Sequence, residues 1–317
     1  MPYDNQLAEQ AATVSLQGVT KRYGRDVEAV SDVSFALVPG QTTALVGHNG
    51  AGKTTLMKLI LGLIRPSAGS LRVLGEDPVT GAFAVRRAIG FLPENVSFNT
   101  ALTARETLTF YARLKRQSSG TVDKLLDRVG LTAAADRRIG GYSKGMRQRL
   151  GLAQALLGSP RVLMFDEPTT GLDPALRQSF YDMVEMLRAD GATVLLSSHS
   201  LTELENRVDR MVVMNRGVKL ADGSLDDLRR LARLPTRIRL TLDTSEFAAA
   251  AERLAFGHAW RRLNEATIEI DATPETKLDL LRRASASDAQ VSEIDVFAPT
   301  LDELYAHFLR QDSEGGP

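Results

Sequence analysis

The chain contains no cysteine, so neither a disulfide framework nor a thiolate metal site organises it. Aromatic residues are sparse at 6%, with a single tryptophan, and histidine occupies only four positions, a poor endowment for carrying a soft metal as cargo. Net charge is absent too: 39 basic residues balance 39 acidic ones over 317 residues, so no global basic field points to nucleic acid. That balance hides an asymmetry. From Pro235 onward nine basic residues stand against fifteen acidic ones, which leaves this part at −6 and the remainder at +6. A positive main body suits a polyanionic ligand, and an acidic tail suits solubility or docking to a basic partner. Long apolar runs are missing as well. The stretch 56–64 is broken by Lys58 and is too short to cross a bilayer, and no signal peptide, internal repeat or low-complexity tract is recognisable. At 43% hydrophobic and 25% charged, the length suffices for one large α/β core plus a smaller domain.

What is present begins with Gly47-His48-Asn49-Gly50-Ala51-Gly52-Lys53-Thr54-Thr55, whose first eight residues match the phosphate-binding pattern G-x-x-x-x-G-K-[ST]. A triphosphate needs many donors converging on it, and glycines let backbone N–H groups come close enough to aim there. The flanks fit: Thr42–Val46 reads as a buried strand entering the loop, and Leu56, Leu59, Ile60 and Leu63 recur at helical spacing after it. The loop therefore opens onto a helix N-terminus, whose dipole favours anions. Lys53 is expected to reach the outer phosphates and the Thr54 hydroxyl to hold Mg²⁺.

Downstream, Val162-Leu163-Met164-Phe165-Asp166-Glu167 is an apolar run of the kind a doubly covered parallel strand needs, ending in two acids. Asp166 is expected to hold the metal's water shell and Glu167 to orient and deprotonate an attacking water. A second buried run, Val194-Leu195-Leu196-Ser197-Ser198-His199, aims His199 at the carboxyl edge of the sheet, where ligands bind in open α/β folds.

Between these elements lies Tyr142-Ser143-Lys144-Gly145-Met146-Arg147-Gln148-Arg149, followed by Leu150, Leu152, Ala153, Leu156 and Leu157 at helical spacing. This segment resembles the signature of ATP-binding-cassette (ABC) ATPases. The resemblance implies a P-loop NTPase of the ABC type: a RecA-like α/β core with an inserted helical subdomain, using ATP and Mg²⁺. It also implies residue roles. Ser143 and Gly145 would contact a γ-phosphate, Tyr23 would stack on adenine, Asp173 would couple two nucleotide sites, and His199 would sense the γ-phosphate. Lys144 and Met146 depart from the usual Gly and Gln, and Glu94 stands where the family has a glutamine. A carboxylate can still accept from metal-bound water, yet it donates nothing and adds charge.

One P-loop and one signature imply, by the same resemblance, a head-to-tail homodimer in which each signature closes over the partner's nucleotide. The cassette holds no membrane half, so transport requires separate membrane subunits docked on the helical insert, with the protein peripheral on the cytoplasmic face of the inner membrane. A narrower similarity runs through 92–98, 105–108, 112–115, 142–158 and 299–305. These stretches look like the NosF subfamily, which implies a NosY-like membrane subunit, a NosD-like periplasmic subunit and a link to copper-site assembly of nitrous oxide reductase. Alternatives are an export ATPase for drugs, lipids or peptides, or a soluble ABC protein acting on ribosomes or DNA. A P-loop GTPase is disfavoured, since no Asn-Lys-x-Asp motif occurs.

The expected organisation is a polar tail over 1–12, a cassette over 13–224 with its helical subdomain at about 83–158, and a basic amphipathic linker helix at 225–234. A small α+β domain follows over 235–310, then a tail over 311–317. In that domain strands are expected at 238–242, 267–270 and 291–297, with helices at 246–254, 274–284 and 300–309. Trp260 and His258 fall in a loop-like stretch and are expected to pack rather than bind. Dimer stabilisation or docking to a membrane partner is the expected role of this domain.

Overall fold

The computed structural model describes residues 12–24, 26–81, 83–243, 247–286 and 290–314. Residues 1–11 of the expected polar tail, Glu246, and 315–317 lie outside the described residues. The chain divides into two compact units, 1–224 and 225–317.

In the first unit, β1 (Val14–Tyr23) and β2 (Val27–Leu37) form an antiparallel pair, and β3 (Thr42–Val46) leads into the phosphate loop and α1 (Lys53–Ile60). Then come β4 (Ala68–Val73), α2 (Phe83–Arg87), β5 (Ile89–Leu92), α3 (Ala104–Leu114), α4 (Gly120–Arg128) and α5 (Lys144–Ala155). The unit closes with β6 (Val162–Phe165), α6 (Pro174–Ala189), β7 (Thr193–Ser198), β8 (Arg210–Asn215) and β9 (Val218–Gly223).

Its main sheet has six strands in the order β5-β6-β7-β3-β8-β9, parallel except for the β9 edge, and a three-stranded antiparallel sheet runs β2-β1-β4. Every residue of β3, β6 and β7 is buried, as strands covered on both faces require. Each fully buried Leu or Val contributes about 1.5–3 kcal/mol, so the strands that carry the site are firmly anchored in the core.

Three details differ from the sequence reading. Helix α1 stops at Ile60: the Gly62 N–H bonds Leu59 O and the Leu63 N–H bonds Lys58 O, a Schellman closure that turns Leu63 outward, where it is 66% exposed. The expected helical subdomain at 83–158 also supplies β5, which joins the core sheet beside β6 and separates the short α2 from the longer helices after Pro93. Helix α3 starts at a capping box, with Thr103 Oγ1 accepting from Glu106 N (3.1 Å) and Glu106 Oε2 accepting from Thr103 N (2.8 Å), a device worth about 1 kcal/mol. Third, the helix expected as a linker, α7 (Leu225–Ala232), belongs to the second unit, where the Arg229 Nε donates to Pro299 O at 3.3 Å.

The second unit continues with β10 (Thr236–Leu242), α8 (Phe247–Ala255), β11 (Trp260–Arg262), β12 (Thr267–Ala272), α9 (Lys277–Ala284), β13 (Val291–Phe297) and α10 (Leu301–Glu314). Its sheet order, β11-β12-β10-β13 with all neighbours antiparallel, is the β-α-β-β-α-β ferredoxin-like arrangement. The expected tail at 311–317 is helical as far as Glu314. Strand β11 escaped sequence reading because only three residues form it and both arginines are exposed. Trp260 starts that strand, packs on the unit's core, and donates from Nε1 to Glu252 Oε2 at 3.0 Å.

Glu269 sits in the middle of β12, 1% exposed, with Arg239 (Nε–Oε2 2.6 Å) and Arg261 on the neighbouring strands closing over it. Burial pushes its carboxyl up, but hydrogen bonds from Arg239 and Arg261 outweigh burial and hold it below the usual glutamate range. Because the group is ionised more readily when folded, its contribution is complete above the ordinary carboxylate range and fades as pH falls through the lowered value. Glu269→Gln is expected to cost about 1–3 kcal/mol near neutral pH. Trp260 is the sole tryptophan, so urea unfolding of the full chain followed by its fluorescence reads this unit directly. The difference from the native protein should shrink in acid. An equal difference at every pH would refute the ion-pair account.

Candidate functional site

The sheet order assembles the site. In the β3–β7 pair Val46 lies opposite Ser198, and in the β6–β7 pair Phe165 lies opposite Leu196. The carboxyl ends of three strands distant in sequence therefore finish level, placing the phosphate loop, the Asp166-Glu167 pair and His199 side by side.

The loop itself is sterically committed to glycine at two places. A Cβ on Gly47 would stand 2.6 Å from the Met214 carbonyl oxygen, and Gly52 holds φ 99 with a would-be Cβ 2.7 Å from Ala29 O. Lys53, 6% exposed, donates from Nζ to the Gly47 carbonyl and reaches His48 O at 3.4 Å and Glu167 Oε1 at 3.5 Å. The Thr54 Oγ1 faces Asp166 Oδ2 at 3.4 Å. Two hard oxygens converging on a cleft is what Mg²⁺ takes from a protein, its other positions going to phosphate and water, so this donor set fits the ion.

Glu167 is held from several sides. Its Oε2 meets His199 Nδ1 at 2.7 Å and Thr170 Oγ1 at 3.5 Å, and its N–H donates to Ser197 Oγ at 2.8 Å. Ser197 Oγ in turn donates to Asp166 Oδ1 at 2.7 Å. The backbone of Glu167 sits at φ 47, a strained conformation for a side-chain-bearing residue, and strain of this kind costs about 1–3 kcal/mol. The neighbours that over-determine Glu167 keep it there.

A single open cleft is lined by Tyr23, the loop from His48 through Thr55, Glu94, Asp166 and Glu167. Tyr23 is 42% exposed at the end of β1 and so presents its ring to this cleft instead of filling a core. His199 joins through its bond to Glu167. Ser143 and Gly145 are not among the cleft-lining residues. Ser143 caps α5 by accepting from Met146 N at 3.2 Å, and Gly145 packs against Leu176, whose Cδ1 would lie 2.6 Å from a Cβ there. The signature is anchored from behind: the Tyr142 hydroxyl donates to Ala134 O at 2.6 Å, and burial pushes its phenol up, so it stays protonated as a donor. Asp173 caps α6 by accepting from Leu176 N at 2.9 Å.

Sequence reasoning missed Ser197, whose signal was a polar residue closing an apolar strand run, and Arg216, which lines the cleft from the turn between β8 and β9. It also missed the contact of Lys144 with the turn before α6, where Nζ lies 2.4 Å from a would-be Cβ on Gly171.

Comparison with known proteins agrees with this geometry. Residues 30–170 match the ABC transporter family. The daunorubicin resistance ATP-binding protein DrrA3 of Streptomyces coeruleorubidus is 34% identical over 313 residues, covering 96% of this chain and 98% of that protein. The Nod factor export ATP-binding protein I of Rhizobium sp. (strain N33) is 38% identical over 215 residues, covering 67% of this chain and 70% of that one. A solved structure described as the ATP-binding subunit of an ABC transporter superposes with a TM-score of 0.64 at 31% identity, over 69% of this chain and 92% of that one. No helix among the described residues is long and apolar enough to cross a membrane. The chain therefore belongs to the ABC transporter ATP-binding proteins, an ATPase subunit that uses ATP with Mg²⁺ and partners with membrane transporter subunits.

Proposed function

We propose that the chain is the ATP-hydrolysing engine of an export system, peripheral on the cytoplasmic face of the inner membrane and driving a separate integral membrane subunit. The observation that carries the catalytic part is the meeting of Lys53, Asp166, Glu167 and His199 from three separate strand ends at one cleft. In this reading the loop amides of residues 47–55 and Lys53 hold the phosphates. Thr54, Asp166 and Glu94 hold Mg²⁺, partly through water. Glu167 takes a proton from the attacking water while His199 orients the carboxylate. Tyr23 packs on the adenine.

Ser143 and Gly145 lie outside the cleft, which supports a head-to-tail homodimer in which each signature closes over the partner's nucleotide and Asp173 couples the two sites. Closure on ATP and reopening after hydrolysis would then drive the membrane subunit, since only binding energy that differs between two states shifts them. The export reading draws on the likeness to the Nod factor export ATP-binding protein I and to the daunorubicin resistance protein DrrA3, the latter covering 96% of this chain.

A second reading, a NosDFY-type complex with NosY-like and NosD-like partners that serves copper-site assembly, draws on the stretches 92–98 and 299–305. A tagged copy purified from detergent-extracted membranes, with its co-purifying subunits identified, decides between them. An export permease supports the first reading and a NosY-like subunit with a periplasmic partner supports the second. Recovery with ribosomes or DNA in place of membrane subunits would overturn both.

A further inference from the structure

We infer that Arg216 is a nucleotide-binding residue, its guanidinium engaging the polyphosphate from a turn that adjoins the phosphate loop. Asn215 and Val218 are paired across β8 and β9, so Arg216 and Gly217 form a two-residue hairpin loop, with φ 45 and 84. Positive φ at both positions is the type I′ signature, for which Asn, Asp or Gly is the usual first residue. An arginine in the left-handed region is strained there, and strained residues concentrate at ligand sites.

The turn cannot drift. The Gly217 N–H donates to Ala51 O at 3.1 Å, and Gly217 O accepts from Ser31 N at 2.9 Å. A Cβ on Gly217 would stand 2.9 Å from Ala29 O. These contacts fasten the turn's backbone to the phosphate loop two residues before Lys53.

Charge then decides what Arg216 does. Apart from Lys53, Arg216 is the only lysine or arginine among the described residues lining the cleft, whose acids are Glu28, Glu94, Asp166 and Glu167. Glu28 is held by Arg22 at 2.5 Å, and Lys53 shares its charge with Glu167 at 3.5 Å. The Arg216 guanidinium has no such carboxylate partner among the described residues. A nucleoside polyphosphate entering a cleft this acidic needs cations besides Mg²⁺, and a planar guanidinium matches phosphate oxygens bidentately.

The inference rests on the nucleotide reading of the cleft and deepens it. The test is calorimetric titration of the full chain with ATP, ADP, AMP and adenosine at low ionic strength, comparing Arg216→Ala, Arg216→Asn and Arg216→Lys with the native protein. Arg216→Ala should weaken ATP and ADP by about tenfold and leave adenosine unchanged, with Arg216→Lys recovering part of the loss. The loss should diminish as salt is raised, because the contact is exposed. Arg216→Asn suits the left-handed position and should keep the ligand-free Tm while binding as weakly as the alanine variant, which separates recognition from folding. Unchanged ATP and ADP affinity in the Ala and Asn variants would overturn the inference, and so would an equal loss for adenosine, which would place the contact on the base or sugar. Should Lys53→Ala also bind ATP normally, the nucleotide reading itself fails, and this inference with it.

Discussion

Replacing Glu167 with glutamine lowers ATP turnover by about 10²–10⁴-fold, the range a positioned general base supplies, while ATP and Mg²⁺ still bind. The amide keeps the volume of the carboxylate and can still bond to His199 Nδ1 and Thr170 Oγ1, so the strained backbone at φ 47 keeps its supports. What it loses is the ability to accept a proton from water. Binding without hydrolysis should then accumulate the closed state: light scattering behind a sizing column should show a dimer with ATP and Mg²⁺ and a monomer without. Turnover within a factor of about ten of the native rate would remove Glu167 from the base role. A monomer under all nucleotide conditions would remove the head-to-tail scheme. Ser197 offers an independent check on positioning, since it accepts from the Glu167 N–H and donates to Asp166.

Lys53→Ala should raise the Kd for ATP with Mg²⁺ by about 10² or more, because truncating one partner of a buried charge pair costs about 2–5 kcal/mol. The ammonium is 6% exposed and already bridges the loop carbonyls and Glu167, so it stands where phosphate oxygens would replace the carbonyls at little cost in reorganisation. Its removal also leaves Glu167 without its buried cation. Some loss of ligand-free Tm is therefore expected, and the informative quantity is the rise in Tm on adding ATP. That rise follows RT ln(1 + [L]/Kd), so it should nearly vanish at ATP concentrations that stabilise the native protein by several degrees. An undiminished ATP-induced rise in the alanine variant would mean that phosphate is held elsewhere.

The phosphate loop, its strand and its helix were legible in sequence because each is contiguous: glycine spacing, a lysine and two apolar runs suffice. The same holds for the helix following Ser143 and for the acids ending β6. Leu63 misled because its spacing continues the helical stripe, and a backbone closure at Gly62 overrides side-chain periodicity. Glu269 carried no signal of its own in the sequence. It fell within the strand expected at 267–270, and only the arginines of two other strands explain its burial.

By itself the sequence determined that this protein binds a nucleoside triphosphate, that a buried strand runs into Asp166 and Glu167, and that a smaller α+β unit follows. Those signals are local, carried by residues within about 3–10 positions of one another. Only the tertiary structure decided that β3 lies between β7 and β8, and that ordering alone aligns Lys53, Glu167 and His199 at one sheet edge. It also brought Ser197 beneath Asp166, placed Arg216 on the cleft wall, and set Ser143 and Gly145 apart from it. The reason is that sheet order follows from crossover connections and the packing of strands far apart in the chain, which no local periodicity encodes.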